Sequence, residues 1–267
     1  RASSALSTGR FEEGWRDYRM RPNILARRDK LFCDKLPSNL KNTHVVVERD
    51  QGLGDEIFFL RYLAQLSRRG PNITYVPDSR LEDILKRADI ADRIASDESK
   101  IGPRDFLISV SDLPYVLDIK NEDPIPPPIP LEPANELLTK FSTILNYFGP
   151  GPYIGVTWRS GTKGLYGSIF KEIPLSDFAK TIKKIPGTVI ALQRLPKSTE
   201  IVQLEDYLGR PILDLTELNS DLESMLALVS LLDEYVCVSN TNVHLRTSCG
   251  KRCHVLVPHP AEFRWMA

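Results

Sequence analysis

The sequence has few cysteines, no excess of either charge and no long apolar run. Its 267 residues include four cysteines, 35 lysines and arginines, and 35 aspartates and glutamates, so the formal net charge is zero. A balanced charge excludes a global field that would attract nucleic acid, and any anion site must therefore be local. No apolar run approaches the roughly 20 residues of a membrane-spanning helix, and the arginine-rich start lacks a signal-peptide core. These absences predict a cytoplasmic protein without a transmembrane segment or a nucleic-acid partner.

The four cysteines, which include Cys33, do not form the pattern of a disulfide framework or a zinc site. Cys237 lies in an apolar, strand-like run, which favours a buried free thiol. Cys249 and Cys253, with the nearby His254 and His259, lack the paired CxxC spacing of structural zinc sites. We therefore predict neither a disulfide nor a bound metal.

An amphipathic helix is predicted near the start of the chain. Phe11, Trp15 and Tyr18 are spaced at i, i+4 and i+7, which places them on one face of a helix. The pattern has no second copy in the chain, so the helix is either a packing arm on the following lobe or the end of a repeat array. The second interpretation is preferred, and residues 1–22 are assigned to a C-terminal remnant of a tetratricopeptide-type repeat.

The remaining chain alternates between strand-like and helix-like segments. Strands are predicted at residues 44–48, 73–76 and 106–110, with a long helical pattern over residues 55–69. The proline-rich segment at residues 124–130 cannot be a helix or an inner strand, and a second α/β series follows it. Two such series predict an α/β protein with two Rossmann-like lobes facing a cleft. Their boundaries are set at residues 23–133 and 134–267.

The first candidate phosphate or substrate loop follows the first predicted strand. Gly52 and Gly54 precede a helix and would let a ligand approach its free N–H groups. Asp55 would repel a phosphate there, so we assign it to an acceptor hydroxyl as a general base. The alternative is that Asp55 only stabilises the helix N-terminus.

Two further loops could hold phosphate. One carries Arg159, Lys163 and Lys171, whose charges could stabilise a diphosphate leaving group, although a solvated basic loop has the same composition. In the other, the residues that cap the last predicted helix could present its amides to phosphate. These residues are Ser239, Asn240, Thr241 and Asn242. His244 lies inside that helix, where it is as readily a packing residue as a ligand contact.

A series of short segments resembles glycosyltransferase family 9, the heptosyltransferase-like family, in the bacterial branch fused to tetratricopeptide repeats. In order along the chain, they are Gln51-Gly52-Leu53-Gly54-Asp55, Phe59-x-Arg61-Tyr62-Leu63, Gly155-Val156-Thr157-Trp158, Ile173-Pro174-Leu175, Leu192-Gln193, Leu232-Asp233, His244-Leu245, Gly250-Lys251 and Arg264-Trp265. The resemblance covers the chain from about Gly9 to its end. Gly14 to Arg21 resembles the end of the repeats that precede this family.

The resemblance implies a GT-B fold and metal-independent, inverting transfer from a nucleoside-diphosphate sugar, typically ADP-heptose, with no cofactor. Asp55 matches the proposed general base, and Lys171 matches a basic residue that holds the donor phosphates. The segment from Ser239 to Leu245 matches the phosphate-binding loop and helix start. The acceptor would be a saccharide or a protein, and the repeats could bind a protein partner.

The chain departs from the family at this last segment. The family reads Asp-Thr-Ala-x-Ala-His-Leu-Ala-Gly where this chain reads Ser239-Asn240-Thr241-Asn242-Val243-His244-Leu245-Arg246-Thr247. Loss of the acidic residue and the glycine supports an alternative, a degenerate glycosyltransferase-like scaffold for protein partners. A dinucleotide-dependent oxidoreductase is set aside, because Gly52 to Ile57 lacks the third glycine of GxGxxG.

Overall fold

The computed structural model describes residues 1–27, 35–97, 99, 101–161, 171–258 and 261–265. Cys33, Lys163 and His259 lie outside these described residues. The chain divides into two compact units, the first comprising Arg1–Ile129 with Pro258–Ala267 and the second Pro130–Val257. The sequence-based division instead placed the final residues in the second lobe. They belong to the first unit because Phe263 packs among its aromatic side chains.

The first unit is built on a four-stranded parallel sheet. Its strands are β1 (His44–Glu48), β2 (Asn72–Val76), β3 (Arg93–Ile94) and β4 (Phe106–Ser109), in the order β3-β2-β1-β4. Val45, Val46 and Val47 are fully buried, as expected for a central parallel strand covered on both faces. The three strands predicted in this unit are therefore confirmed, and β3 is an addition.

Short helices cover this sheet. They are α1 (Ala2–Leu6), α2 (Phe11–Tyr18), α3 (Pro22–Leu25), α4 (Leu53–Phe59), α5 (Leu63–Ser67), α6 (Glu82–Arg87) and α7 (Leu113–Val116), with 3₁₀ turns at Leu60–Tyr62, Ser79–Leu81, Val110–Asp112 and Phe263–Trp265. The helix predicted over residues 55–69 thus begins two residues earlier and is interrupted by a 3₁₀ turn. At this turn Arg61 Nε donates to the Phe58 carbonyl at 2.8 Å and Nη1 to the Pro126 carbonyl at 3.1 Å. The side chain thereby ties the interruption to the proline-rich segment.

The predicted N-terminal helix packs on its own unit. Trp15 is only 5% exposed, and its ring meets Phe59 at 5.8 Å and Phe263 at 5.7 Å between centroids. Gly14 lies against α1, because a Cβ there would come within 2.4 Å of Leu6 Cδ2. The apolar face is therefore covered by the following lobe, as in the packing-arm interpretation. The assignment of residues 1–22 to a repeat stays a prediction.

The second unit contains a five-stranded parallel sheet in the order β11-β10-β5-β8-β9. Its strands are β5 (Tyr153–Thr157), β8 (Thr188–Ala191), β9 (Ile212–Asp214), β10 (Glu234–Val238) and β11 (His254–Leu256), while β6 (Arg159–Ser160) and β7 (Lys171–Glu172) form a separate antiparallel pair. Cys237 in β10 is a buried free thiol, as predicted. Gly155 is required in β5, since a Cβ would come within 2.5 Å of Leu232 Cδ1.

The helices of the second unit are α8 (Asn135–Phe148), α9 (Leu175–Ile182), α10 (Glu200–Leu208), α11 (Leu222–Leu231) and α12 (Thr241–Ser248), with a 3₁₀ turn at Thr216–Ser220. The helical patterns of the second series, at residues 134–148, 175–184, 220–232 and 242–249, predict four of them within a few residues, whereas they do not predict α10 and β9. In the part of the chain that the structure describes, no helix combines the length and apolarity needed to cross a membrane.

Candidate functional site

A buried ion-pair network organises the loop after β1. Arg21 donates to Asp50 Oδ2 through Nε at 3.1 Å and Nη2 at 2.7 Å, and Nη2 also reaches Asp112 Oδ1 at 2.8 Å. Ser109, the last residue of β4, donates to the same Asp50 oxygen at 3.1 Å. These side chains are all nearly inaccessible to solvent. The network therefore joins the N-terminal helices to the carboxyl ends of β1 and β4.

Asp50 also shapes the glycine loop. Its Oδ1 accepts the Gln51 backbone N–H at 2.8 Å, and Gln51 itself has a left-handed backbone with φ of 63°. The chain then enters α4 with Gly52 at the N-cap position. Sequence reasoning did not predict Arg21, Asp50 or Asp112 as supports of this loop. Burial raises the pKa of Asp112, while the nearby Arg21 opposes that shift.

Replacing Arg21 by alanine is expected to lower the free energy of unfolding by about 3–5 kcal/mol. The change leaves Asp50 and Asp112 buried without their shared cation, which is more costly than losing an exposed ion pair. Urea unfolding followed by circular dichroism measures the difference. Arg10→Ala is the control, because Arg10 forms an exposed pair with Glu13 worth about 1 kcal/mol or less. Equal losses for the two variants would contradict the structural role of Arg21.

Asp55 lies in the first turn of α4, where its carboxylate forms an ion pair with Arg264. The Arg264 guanidinium also contacts Glu262 Oε2 at 3.0 Å through Nη1. The side chain of Asp55 remains 22% exposed, so the carboxylate is partly accessible from solvent. Asp55 thus lies at the helix start predicted from the sequence, but it is already in contact with a cation.

Glu56, the next residue, is a buried acid. Its Oε1 accepts the Tyr75 hydroxyl at 3.0 Å and the Asp78 backbone N–H at 3.0 Å, and the residue is 2% exposed. Burial raises the pKa of Glu56 to about 7, although these two hydrogen bonds oppose the shift. Glu56 therefore changes its charge near neutral pH, next to Asp55 in the first turn of α4.

Glu56→Gln is expected to remove a pH dependence of stability. Because the folded state raises the pKa of Glu56, the contribution of this group is complete below its unfolded pKa and is lost as the pH rises toward 7. The wild type should lose on the order of 3 kcal/mol relative to Glu56→Gln between about pH 5 and pH 8. Thermal unfolding across this range measures the difference. Glu122 is exposed, so the control variant Glu122→Gln should show the same pH dependence of stability as the wild type. The same pH dependence in Glu56→Gln as in the wild type would refute the raised pKa of Glu56.

In the second unit, Lys171 and Ser239 lie together. Lys171 Nζ donates to Ser239 Oγ at 3.2 Å and lies 3.5 Å from the Ser239 carbonyl oxygen. Ser239 directly follows β10 and is buried, while Lys171 comes from β7, which pairs with the exit of β5. Two residues predicted from separate loops are therefore brought together beside the carboxyl ends of β5 and β10.

Asn240 prepares the start of α12. Its Oδ1 accepts the Asn242 backbone N–H at 2.8 Å, and its Nδ2 donates to the Val238 carbonyl at 2.6 Å. The Tyr235 hydroxyl supports Asn240 Oδ1 from 3.2 Å. Thr241 is the first residue of the helix. The predicted capping role of Asn240 is therefore confirmed.

Asn242, Arg159 and His244 have internal contacts. Asn242 is buried, and its Nδ2 lies 3.4 Å from Asn219 Oδ1. Arg159 Nη1 lies 2.7 Å and 2.6 Å from the two carboxylate oxygens of Glu200, in the unpredicted helix α10. His244 is buried inside α12. The ligand roles predicted for these three residues stay predictions.

Arg246 accounts for part of the departure from the family motif, where it replaces alanine. Its buried guanidinium donates to the carbonyl groups of Val229, Leu232, Asp233 and Arg252 at 2.6–2.9 Å. It therefore binds carbonyls at the end of α11 and in the turn before β11. The substitution thereby fixes α12 to the end of α11 through the Arg246 side chain.

No protein-family model matches the chain. Protein FlbA of Caulobacter vibrioides is 24% identical over 278 residues, a match that includes 94% of this chain and 46% of FlbA. The chain thus spans about half the length of this curated relative.

Two solved glycosyltransferases have a similar structure. The glycosyl transferase family 9 structure from Veillonella parvula DSM 2008 has a TM-score of 0.63 and 12% identity, with 82% of each chain covered. The ADP-heptose LPS heptosyltransferase II of E. coli has a TM-score of 0.55 and 10% identity, covering 79% of this chain and 83% of that one. At these identities the likeness establishes a shared α/β fold.

Proposed function

We propose that this chain is a GT-B-type glycosyltransferase that transfers a sugar, with inversion and without a metal ion, from a nucleoside-diphosphate sugar resembling ADP-heptose to an acceptor hydroxyl. The observation that supports it most is the pairing of Lys171 with Ser239 at the start of α12. An ammonium group, a hydroxyl and the free amides of a helix N-terminus form a suitable cradle for a diphosphate. The fold shared with glycosyltransferases supports the same assignment.

In the proposed reaction, the cradle at Lys171 and the start of α12 binds the donor, and Asp55 accepts the acceptor proton. The acceptor oxygen forms a bond to the anomeric carbon as the bond from that carbon to the diphosphate oxygen breaks. The departing diphosphate keeps the electron pair, and Lys171 with the α12 amides stabilises its charge. The acceptor would be a saccharide or a protein.

Nucleotide binding to the cradle should depend on Lys171. We expect ADP, tested beside GDP, UDP and CMP with and without magnesium, to raise the melting temperature of the wild-type chain in a metal-independent manner. A ligand at about 100 times its Kd stabilises the folded state by roughly 2.7 kcal/mol. Lys171→Ala should weaken binding by about tenfold or more, the factor that corresponds to loss of a charge-assisted hydrogen bond.

Lys180→Ala is the matched control, because Lys180 lies in the same unit and forms an exposed pair with Asp177. An equal nucleotide response in Lys171→Ala and the wild type would contradict the cradle. With a nucleotide identified, Asp55→Asn should abolish transfer while leaving nucleotide binding intact. Full transfer by that variant would exclude Asp55 as the base.

One observation favours the alternative scaffold function. Two of the predicted site residues already have charged partners within the chain, since Asp55 pairs with Arg264 and Arg159 pairs with Glu200. A degenerate glycosyltransferase-like chain would keep such contacts for stability alone and bind protein partners. A folded chain whose melting temperature responds to none of the four nucleotides would support this scaffold over the enzyme.

A further inference from the structure

We propose that Arg264 is a positioning residue for Asp55, and that Tyr18 and Phe263 hold Arg264 in place. The inference deepens the proposed function and rests on it for the role of Asp55 as the base. Its starting point is the ion pair between Arg264 Nη2 and Asp55 Oδ1, two residues far apart in the sequence but within one unit.

The Arg264 guanidinium is held from several directions. Its Nη1 contacts Glu262 Oε2 at 3.0 Å, and its Cζ lies 4.5 Å from the ring centroid of Phe263. The side chain is 15% exposed, and burial lowers the pKa of Arg264 while a hydrogen bond with Tyr18 opposes that shift. A guanidinium with this many fixed partners presents one geometry to Asp55.

Phe263 anchors the segment that carries Arg264. Its ring lies 5.7 Å from the centroids of both Trp15 and Tyr18, and 6.0 Å from that of Phe58. Such aromatic pairs contribute beyond the area they bury and prefer specific orientations. Helix α2 supplies Trp15 and Tyr18, and α4 supplies Phe58 next to the turn that contains Asp55. The N-terminal helix is therefore part of the support for the candidate base.

The pair is compatible with proton transfer because a carboxylate has two oxygens and the contact with Arg264 is made through Oδ1. A carboxylate accepts hydrogen bonds on both oxygens, so Asp55 Oδ2 can receive the acceptor proton while Oδ1 contacts Arg264. Once Asp55 is neutral, Arg264 keeps Glu262 as a charged partner. Arg264 can therefore hold the Asp55 carboxylate in one orientation throughout the reaction.

The first arm of the test measures the reactivity of Asp55 directly. Carbodiimide with glycine ethyl ester labels accessible carboxyl groups, and peptide mass spectrometry gives the rate at each one. In Arg264→Gln the labelling rate of Asp55 should rise about tenfold, because the carboxylate is no longer held in its ion pair with the largely buried Arg264. Arg264→Lys retains a cation, and Tyr18→Phe retains the aromatic ring. Both variants should therefore increase the labelling rate of Asp55 less than Arg264→Gln does. The exposed Glu122 serves as the internal standard.

Arg69→Gln is the matched control, since Arg69 is another arginine of the first unit and donates to the carbonyl groups of Leu36, Pro37 and Leu117. Its Asp55 labelling rate should equal that of the wild type. If Arg264→Gln does not fold, the Asp55 labelling rates of Arg264→Lys and Tyr18→Phe are compared with that of the wild type instead. Equal Asp55 labelling in the folded Arg264 and Tyr18 variants and in the wild type would overturn the inference.

The second arm separates positioning from stability. In a transfer assay, Arg264→Gln should lower kcat about tenfold or more and leave the donor KM and the nucleotide-induced melting shift unchanged. Arg264→Lys should recover part of kcat. An unchanged kcat, or a loss of nucleotide binding equal to the loss of kcat, would overturn the positioning role. If the wild type transfers no sugar, the proposed function fails, while the labelling arm still decides whether Arg264 holds Asp55.

Discussion

The buried guanidinium of Arg21, shared between Asp50 and Asp112, is the interaction on which the first unit depends most. A charge removed from water must be compensated inside the protein, and here two carboxylates from different loops supply the compensation. The geometry of one arginine therefore sets the relative positions of α3, the loop after β1 and the turn after β4. The same Asp50 accepts the Gln51 N–H, so this arrangement also positions the backbone of the glycine loop before Asp55.

The second unit uses arginine in a similar way. Arg159 ties the exit of β5 to α10 through Glu200, and Arg246 binds carbonyls at the end of α11. A guanidinium has five donors in a rigid plane, so one side chain can fix several segments at once. In both units such anchors lie next to residues proposed for function. The sites are thereby placed on supported backbone rather than on isolated loops, which favours preorganisation for binding or catalysis.

The sequence predicts most of the regular structure because short β-branched runs and periodic helical faces are local signals. The valines of β1 and the alternation after residue 134 are examples, and the observed strands follow them closely. The sequence does not predict α10, because the exposed apolar side chains of Val202 and Tyr207 interrupt the periodicity of its buried face. It does not predict β9 because that strand has three residues and directly follows a proline. The ion pairs of Arg21 and Arg264 join distant segments, so local patterns carry no signal for them. The proximity of Lys171 and Ser239 was implied only through the family resemblance, whose motif order places both near the donor.

Where the family motif has an aspartate, this chain has the neutral Ser239. This change in local charge bears on the choice between the proposed enzyme and the proposed scaffold. An aspartate at this position would place a carboxylate within reach of Lys171 and of any phosphate bound there. Serine instead offers a neutral hydroxyl that can donate to phosphate, so the local potential at the start of α12 becomes more positive. For binding an anion, the substitution is therefore favourable rather than disabling. What it removes is the acidic partner that could orient Lys171, and the buried Ser239 oxygens, at 3.2 Å and 3.5 Å from Nζ, take over that orienting role. The altered motif is thus compatible with the proposed diphosphate cradle, which favours the proposed enzyme over the proposed scaffold.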